Sequence, residues 1–148
     1  MNLNELRDKA YRNAVTHGFH DEELSNEHCL CLVISELMEA VKADRKGRFA
    51  KVPVDKKGTI FDERTFHYQN KYFAENFETY IKDCVEDELA DACIRLLDLA
   101  GLRNISIDDF SGEMIYEATE SCNNETFTES IYAISTIPIR CEYEYDSL

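Results

Sequence analysis

The sequence predicts an all-α protein, and two features of its composition and pattern support that fold class. Glycine and proline, which interrupt regular structure, number only 5 and 2 among 148 residues. Apolar residues recur at helical spacing over stretches that are too long for strands. The hydrophobic content of 44% and the charged content of 31% are typical of a soluble globular protein. We therefore expect a single helical domain over residues 1–148, long enough for a sizeable core.

The first third of the chain predicts two helices joined by a short loop. Residues 3–16 carry an apolar stripe, and Gly18 is a good stop for that helix. After a loop over residues 19–24, a second helix is predicted over about 25–46, because it opens on two favoured N-cap residues. Gly47 is its natural C-terminal stop.

The middle of the chain predicts a long helix after an irregular segment. Residues 48–61 read as a locally basic loop, and the aromatic stretch that follows predicts one short helix. A long helix is then expected from about Ala74 to Leu99, closed by Gly101. After a start signal at residues 106–109, the remaining predicted elements are a helix over 113–121, a helix over 126–137 that Pro138 ends, and an unstructured tail over 140–148.

Two acidic pairs lie within the apolar helical stretches and are the candidate site. Glu36 and Glu39 form the first pair, and Glu88 and Asp91 form the second. A spacing of three residues places both carboxylates of a pair on one helix face, one turn apart. Carboxylates beside a core-facing stripe indicate a bound cation, so two such helices facing each other predict a four-carboxylate metal site. The alternative is a solvated acidic edge on an amphipathic helix.

The residue types around these pairs favour magnesium or manganese. Carboxylates without histidine or thiolate partners select Mg²⁺ or Mn²⁺ over zinc. A ferritin-like di-iron bundle needs Glu-x-x-His on two helices, and none of the four histidines stands three residues after an acid. The sequence also has no Walker loop, no GxGxxG and no GxSxG. The predicted chemistry is therefore that of a hard cation, which can neutralise a triphosphate and activate a water molecule.

Charge and cysteine usage exclude several other classes of protein. A net charge of −14 argues against a nucleic-acid or anionic-membrane surface, since both need basic patches. The polar N-terminal residues do not resemble a signal peptide, and no apolar run approaches the 18 residues of a transmembrane helix. Six cysteines without a CxxC pair are typical of free thiols. We expect a cytoplasmic protein that binds neither nucleic acid nor membrane.

The two acidic motifs together resemble those of the MazG-like all-α NTP pyrophosphohydrolases. That family carries an E-x-x-E pair on one helix and an E-x-x-D pair on a later helix. The matching segments here are Ile34-Ser-Glu-Leu-Met-Glu-Ala-Val41 and Val85-Glu-Asp-Glu-Leu-Ala-Asp-Ala92, and the resemblance covers roughly residues 22–104. Each motif alone is weak evidence, but the two in this order and in apolar context are moderately specific.

The resemblance implies a fold, an activity and an assembly. It implies a MazG-like helical bundle that hydrolyses a nucleoside triphosphate to the monophosphate and pyrophosphate, which serves to clean or balance the nucleotide pool. It implies dependence on Mg²⁺, with Glu36, Glu39, Glu88 and Asp91 as ligands and one of the two first-pair glutamates as the proton acceptor. It also implies a homodimer or homotetramer in which neighbouring subunits complete the site.

The chain departs from the family pattern at two places. The 48 residues between Glu39 and Glu88 exceed what a compact member has, so we expect an insertion at about 48–80 that forms a lid, a base pocket or an oligomer contact. Related proteins often carry a later helix whose Lys and Asn side chains reach the phosphates, and the sequence after residue 105 predicts none. The chain is therefore expected to be a divergent member or to lack a C-terminal helix. The alternative from another class is a non-catalytic helical protein that assembles or binds a partner and retains a vestigial acidic site.

Four further residues are candidate substrate ligands. Arg95 lies one turn beyond Asp91 and either contacts a phosphate or pairs with Asp98 or Asp91. Lys42 and Arg45 either bind phosphates or are the ordinary cationic last turn of a helix. His20 precedes the second helix, where it either contacts a base or sugar or is merely solvated.

Overall fold

All of the regular structure in the described part of the chain is α-helical, which confirms the predicted fold class. A computed structural model describes residues 2–51, 73–107, 112–120, 122 and 125–137. Within these ranges there is no strand. The helices are α1 (Leu3–Thr16), α2 (Asn26–Arg45), α3 (Phe73–Tyr80), α4 (Val85–Leu102), α5 (Gly112–Glu120) and α6 (Phe127–Ser135).

Local capping explains where several of these helices begin and end. The side chain of Asn2 accepts a hydrogen bond at the start of α1, and Ser25 does the same for α2. At α6, Thr126 and Glu129 exchange hydrogen bonds in a capping box. Gly18 and Gly47 follow α1 and α2 with φ of 76° and 63°, values that favour glycine. The sequence-based boundaries of α1 and α2 are thus confirmed to within a residue or two.

The predicted long helix from Ala74 to Leu99 is wrong, because the chain breaks between α3 and α4. Asp83 adopts a left-handed φ of 55°, and its backbone N–H donates to the side chain of Asp87 at 2.9 Å. The break lets the segment after α2 dock against the turn. Lys51 N–H donates to the carbonyl of Tyr80 at 3.0 Å, and Val85 N–H donates to the carbonyl of Arg48 at 3.0 Å.

Helices α2 and α4 form the centre of the described fold. They lie antiparallel: Arg103, just after α4, reaches Asn26 at the start of α2, while the segment after α2 contacts the start of α4. Their buried side chains meet α6 in one core cluster. Its buried members are Val33, Leu37, Ala92 and Ile131, and Val41, Leu89 and Phe127 pack against them.

Helix α1 packs closely against the end of α4. Gly101 was predicted to close the long helix, but α4 continues to Leu102 and the turn after it holds Asn104 at φ 53°. The role of Gly101 is instead close approach, since a Cβ there would lie 2.5 Å from the Cβ of Tyr11. Arg7 adds a hydrogen bond across this contact, from Nη1 to the carbonyl of Ile105 at 2.7 Å.

Several sequence-based predictions fall on residues outside the described ranges. They concern most of the insertion at 48–80, the second half of the helix start signal at 106–109, the stop at Pro138 and the tail at 140–148. The described cysteines at positions 29, 31, 84 and 93 are free thiols. None of the described helices combines the length and the apolar character needed to cross a bilayer.

Candidate functional site

Three of the four predicted metal ligands converge where α2 faces α4. Glu36 from α2 and Glu88 and Asp91 from α4 each offer a carboxylate oxygen, and these oxygens lie within 4.8 Å of one another. Glu36 and Glu88 are half-buried, whereas Asp91 is exposed. Oxygen atoms grouped at this separation suit a hard divalent cation.

The helical register explains why these carboxylates meet. On α2, Val33, Leu37 and Ala40 are buried against the core, so Glu36 lies at the edge of the buried face. On α4, Ala92 is buried and Asp91 lies beside it. Two antiparallel helices with acids at the same edge of their contact bring those acids together.

Burial and mutual repulsion raise the pKa values of both acids on α4. The pKa of Glu88 is raised first by burial and then by the charges of Asp87, Glu36 and other neighbouring acids. Although the Asp91 residue is exposed, partial loss of water around its carboxyl raises its pKa, the charges of Asp87 and Glu36 raise it further, and Arg95 partly opposes this rise. Both acids therefore lie in an environment that disfavours their negative charge and would favour a bound cation.

The acids on α2 differ from those on α4 because each has a cationic partner. Glu36 accepts from Nε of Arg95 at 3.2 Å, with side chains 18% and 34% exposed. Glu39 accepts from Nζ of Lys42 at 2.6 Å. Within the described ranges, neither Glu88 nor Asp91 forms an ion pair. Of the four predicted ligands, the two on α2 are thus paired with a cation and the two on α4 are not.

Glu39 lies near the cluster but is not one of the three acids that converge. It follows Glu36 by one turn on α2, and its charge contributes to the raised pKa of Glu88. Its carboxylate is turned to Lys42, and Glu39 is not part of the group whose oxygens lie within 4.8 Å. The predicted fourth ligand is therefore adjacent to the site in this conformation.

Arg95 joins the cluster to a neighbouring cavity. Its predicted structural partners were Asp98 and Asp91, but its ion pair is with Glu36. Its guanidinium also lies 5.8 Å from the centroid of the Phe19 ring, within cation–π range. The cluster and the cavity therefore share one cationic side chain.

The cavity beside Arg95 has a volume of about 380 Å³ and includes the predicted residue His20. The loop between α1 and α2 forms one wall, and α2 and α4 form the others. His20 is only 9% exposed, and its Nε2 lies 2.8 Å from Oδ1 of Asp98. Its Nδ1 is buried and meets no hydrogen-bond partner among the described residues. The expectation of a solvated loop histidine is therefore wrong, since His20 is fixed within a cavity wall.

A smaller cleft of about 170 Å³ lies on the other side of the cluster and holds Lys42. Its lining mixes both charges, with the cations Lys42, Lys46 and Arg48 and the acids Glu39, Asp83 and Glu88. Arg45, also predicted to bind phosphates, is exposed at the end of α2 and is not among the residues that line either cavity.

Sequence reasoning missed the pairing of His20 with Asp98. The two residues are 78 positions apart, and no local pattern links a loop histidine to one acid among 30. The helical register could have indicated that Asp98 belongs near the site, because it lies one turn after Arg95 on the same face of α4.

Comparison with known proteins does not assign the chain to a family. No protein-family model, no curated protein and no solved structure matches the chain at a significant level. The resemblance to a family therefore depends on the two acidic motifs alone.

Proposed function

We propose that this chain is a metal-dependent nucleoside triphosphate pyrophosphohydrolase of the MazG-like kind. The reaction converts a ribo- or deoxyribonucleoside triphosphate and water to the monophosphate and pyrophosphate, as nucleotide-pool housekeeping in the cytoplasm. The observation that carries the proposal is the convergence of Glu36, Glu88 and Asp91 from two antiparallel helices.

The donor set fits the cofactor that the proposal requires. Three carboxylates supply only oxygen atoms, which Mg²⁺ and Mn²⁺ prefer, and the raised pKa values of Glu88 and Asp91 reflect uncompensated negative charge. When bound, the ion would supply charge neutralisation for the triphosphate and polarise the attacking water. Glu39, one turn after Glu36 on the same face of α2, is the proposed fourth ligand.

The remaining residues have roles that follow from their positions. Glu36 or Glu39 would accept the proton of the attacking water. Arg95 would contact a phosphate, since a guanidinium binds phosphate oxygens in bidentate geometry and this one already lies at the cluster. Lys42 lies in the adjoining cleft and would contribute a second cation there. Arg45 is the weakest of the proposed phosphate ligands because it is turned to solvent.

The cavity next to Arg95 is the proposed site for the base or sugar. A volume of about 380 Å³ falls in the range of small-molecule sites, and the exposed ring of Phe19 offers a face for stacking. His20 lies in the wall of the same cavity. A nucleotide with its phosphates at the cluster would extend past Arg95 into this space.

A homodimer or homotetramer is part of the proposal. Large apolar side chains are exposed on several helices of the described fold, among them Ile94 and Leu96 on α4, Ile115 and Tyr116 on α5, and Tyr132 on α6. Exposed apolar groups of this kind often mark association surfaces. A neighbouring subunit would supply further cations for the triphosphate.

The proposal is tested by measuring pyrophosphate release from a panel of ribo- and deoxyribonucleoside triphosphates, with Mg²⁺ and with EDTA. We expect release only with the metal, and a loss of about a hundredfold or more in Glu36→Gln, Glu39→Gln and Asp91→Asn. The matched control is Glu5→Gln, an exposed acid on α1 that lies outside the cluster. It should retain full activity.

A lack of pyrophosphate release would favour the second candidate function, which is non-catalytic. A folded sample that releases no pyrophosphate from any triphosphate would indicate a non-catalytic helical protein that assembles or binds a partner.

A further inference from the structure

Glu39, the proposed fourth ligand, is paired with Lys42 and lies outside the cluster. Glu39 and Glu36 share a face of α2, yet only Glu36 belongs to the group with Glu88 and Asp91. The Glu39 carboxylate instead lies 2.6 Å from Nζ of Lys42, three residues later on the same helix.

The ion pair is exposed, and its surroundings allow it to open. The side chains of Lys42 and Glu39 are 58% and 45% exposed, so water can solvate both groups when they separate. Exposed pairs of this kind shift equilibria by no more than about fivefold. A divalent cation can coordinate the Glu39 carboxylate directly, whereas an exposed ammonium offers it only a solvent-screened ion pair.

We propose that Lys42 is a positioning residue for Glu39. Its ammonium holds the carboxylate on the cleft side while the cluster contains no cation, and a divalent cation at Glu36, Glu88 and Asp91 draws Glu39 away from it. The proposal rests on the metal site of the proposed function but not on hydrolysis. Lys42 therefore weakens cation binding by competing for one ligand, and its release leaves an ammonium facing a cleft that also contains Lys46 and Arg48.

The test is the affinity of the whole chain for Mn²⁺, measured by calorimetry without nucleotide. Lys42→Met should bind Mn²⁺ about two- to fivefold more tightly than the wild type, because Glu39 is then unpaired. Lys42→Arg keeps a cation at the same position and should bind as the wild type does. Glu39→Gln should bind more weakly.

The matched control separates a specific pairing from a general charge effect. Lys46→Met removes the same charge from the same cleft, and Lys46 makes no ion pair with the described residues. It should change the affinity by less than about 1.5-fold at physiological salt, since exposed charges are screened.

If the wild type binds Mn²⁺, three results would overturn the proposal. The first is an affinity of Lys42→Met equal to or below that of the wild type, and the second is an equal gain in Lys46→Met. The third is an unchanged affinity of Glu39→Gln, which would mean that Glu39 is not a ligand. Absence of any Mn²⁺ binding to the wild type would remove both the positioning role and the proposed function, whereas binding without pyrophosphate release would remove only the latter.

Discussion

At the scale of single residues, the two acidic motifs have the same spacing but opposite electrostatic situations. Glu36 and Glu39 each meet a cation, and Glu88 and Asp91 meet mainly burial and like charge. The sequence predicted the spacing because three residues make nearly one helical turn. It could not predict the partners, since Arg95 reaches Glu36 across 59 positions although Asp91 and Asp98 both lie within one helical turn of it in the sequence.

Neutralising an uncompensated acid should stabilise the metal-free protein. Glu88→Gln removes a charge that burial and neighbouring acids disfavour, so we expect Tm at neutral pH in EDTA to rise by about 1–3 °C. The matched control is Glu86→Gln on the same turn of α4. Hydrogen bonds, one of them from Ala50 N–H at 2.8 Å, outweigh burial and lower the pKa of Glu86, so its loss should lower Tm. Shifts of the same sign in both variants would contradict this account.

The raised pKa values of Glu88 and Asp91 should also make the stability of the protein depend on pH. Because the folded-state pKa values of Glu88 and Asp91 are raised, their contribution to stability is complete below the ordinary carboxyl range and is lost as pH rises through the raised values. The difference in Tm between Glu88→Gln/Asp91→Asn and the wild type should therefore grow from pH 4 to pH 7.5 in EDTA. Thermal melts of both proteins across this range check it, and a difference that shrinks with pH would refute the assigned direction.

At the scale of elements, contacts distant in sequence override local periodicity at one point. The apolar pattern from Ala74 to Leu99 continues through residues 81–84, so periodicity alone predicts an unbroken helix. The break depends on the left-handed Asp83 and on the docking of residues 48–51, neither of which a local pattern contains. Helices α1 and α2 were predictable because N-caps and stop glycines lie within the segments themselves.

The contact between α1 and α4 should depend on the absence of a side chain at Gly101. In Gly101→Ala, a Cβ 2.5 Å from the Cβ of Tyr11 must displace one helix, at a cost of about 1–3 kcal/mol. The better helix propensity of alanine recovers at most about 1 kcal/mol, so we expect a net loss of stability in urea melts. Gly112→Ala is the matched control, because a Cβ there meets no atom within 4 Å. Equal stability of the two variants would show that α1 and α4 tolerate separation.

At the scale of the whole molecule, a net charge of −14 makes the protein a strong general attractor of cations. A specific site must therefore be separated from this background. If Mg²⁺ binds the cluster with a Kd near 1 mM, 10 mM ion should stabilise the wild type by about 1.4 kcal/mol. Asp91→Asn should lose most of the corresponding rise in Tm, and Glu5→Gln should keep it. An equal rise in both variants would assign the effect to general screening.

The position of Arg95 predicts that cation binding at the cluster and ligand binding in the cavity are thermodynamically linked. One guanidinium pairs with Glu36 in the cluster and lies over Phe19 in the wall of the cavity. A cation that displaces the guanidinium from Glu36 changes the positive charge available in the cavity wall. A ligand in the cavity that draws the guanidinium towards Phe19 leaves Glu36 without its cationic partner. By reciprocity, each ligand then alters the affinity for the other by the same factor. The affinity of a cavity ligand without phosphates should therefore change when the metal ion binds. The coupling between cavity and cluster can thus be measured without hydrolysis.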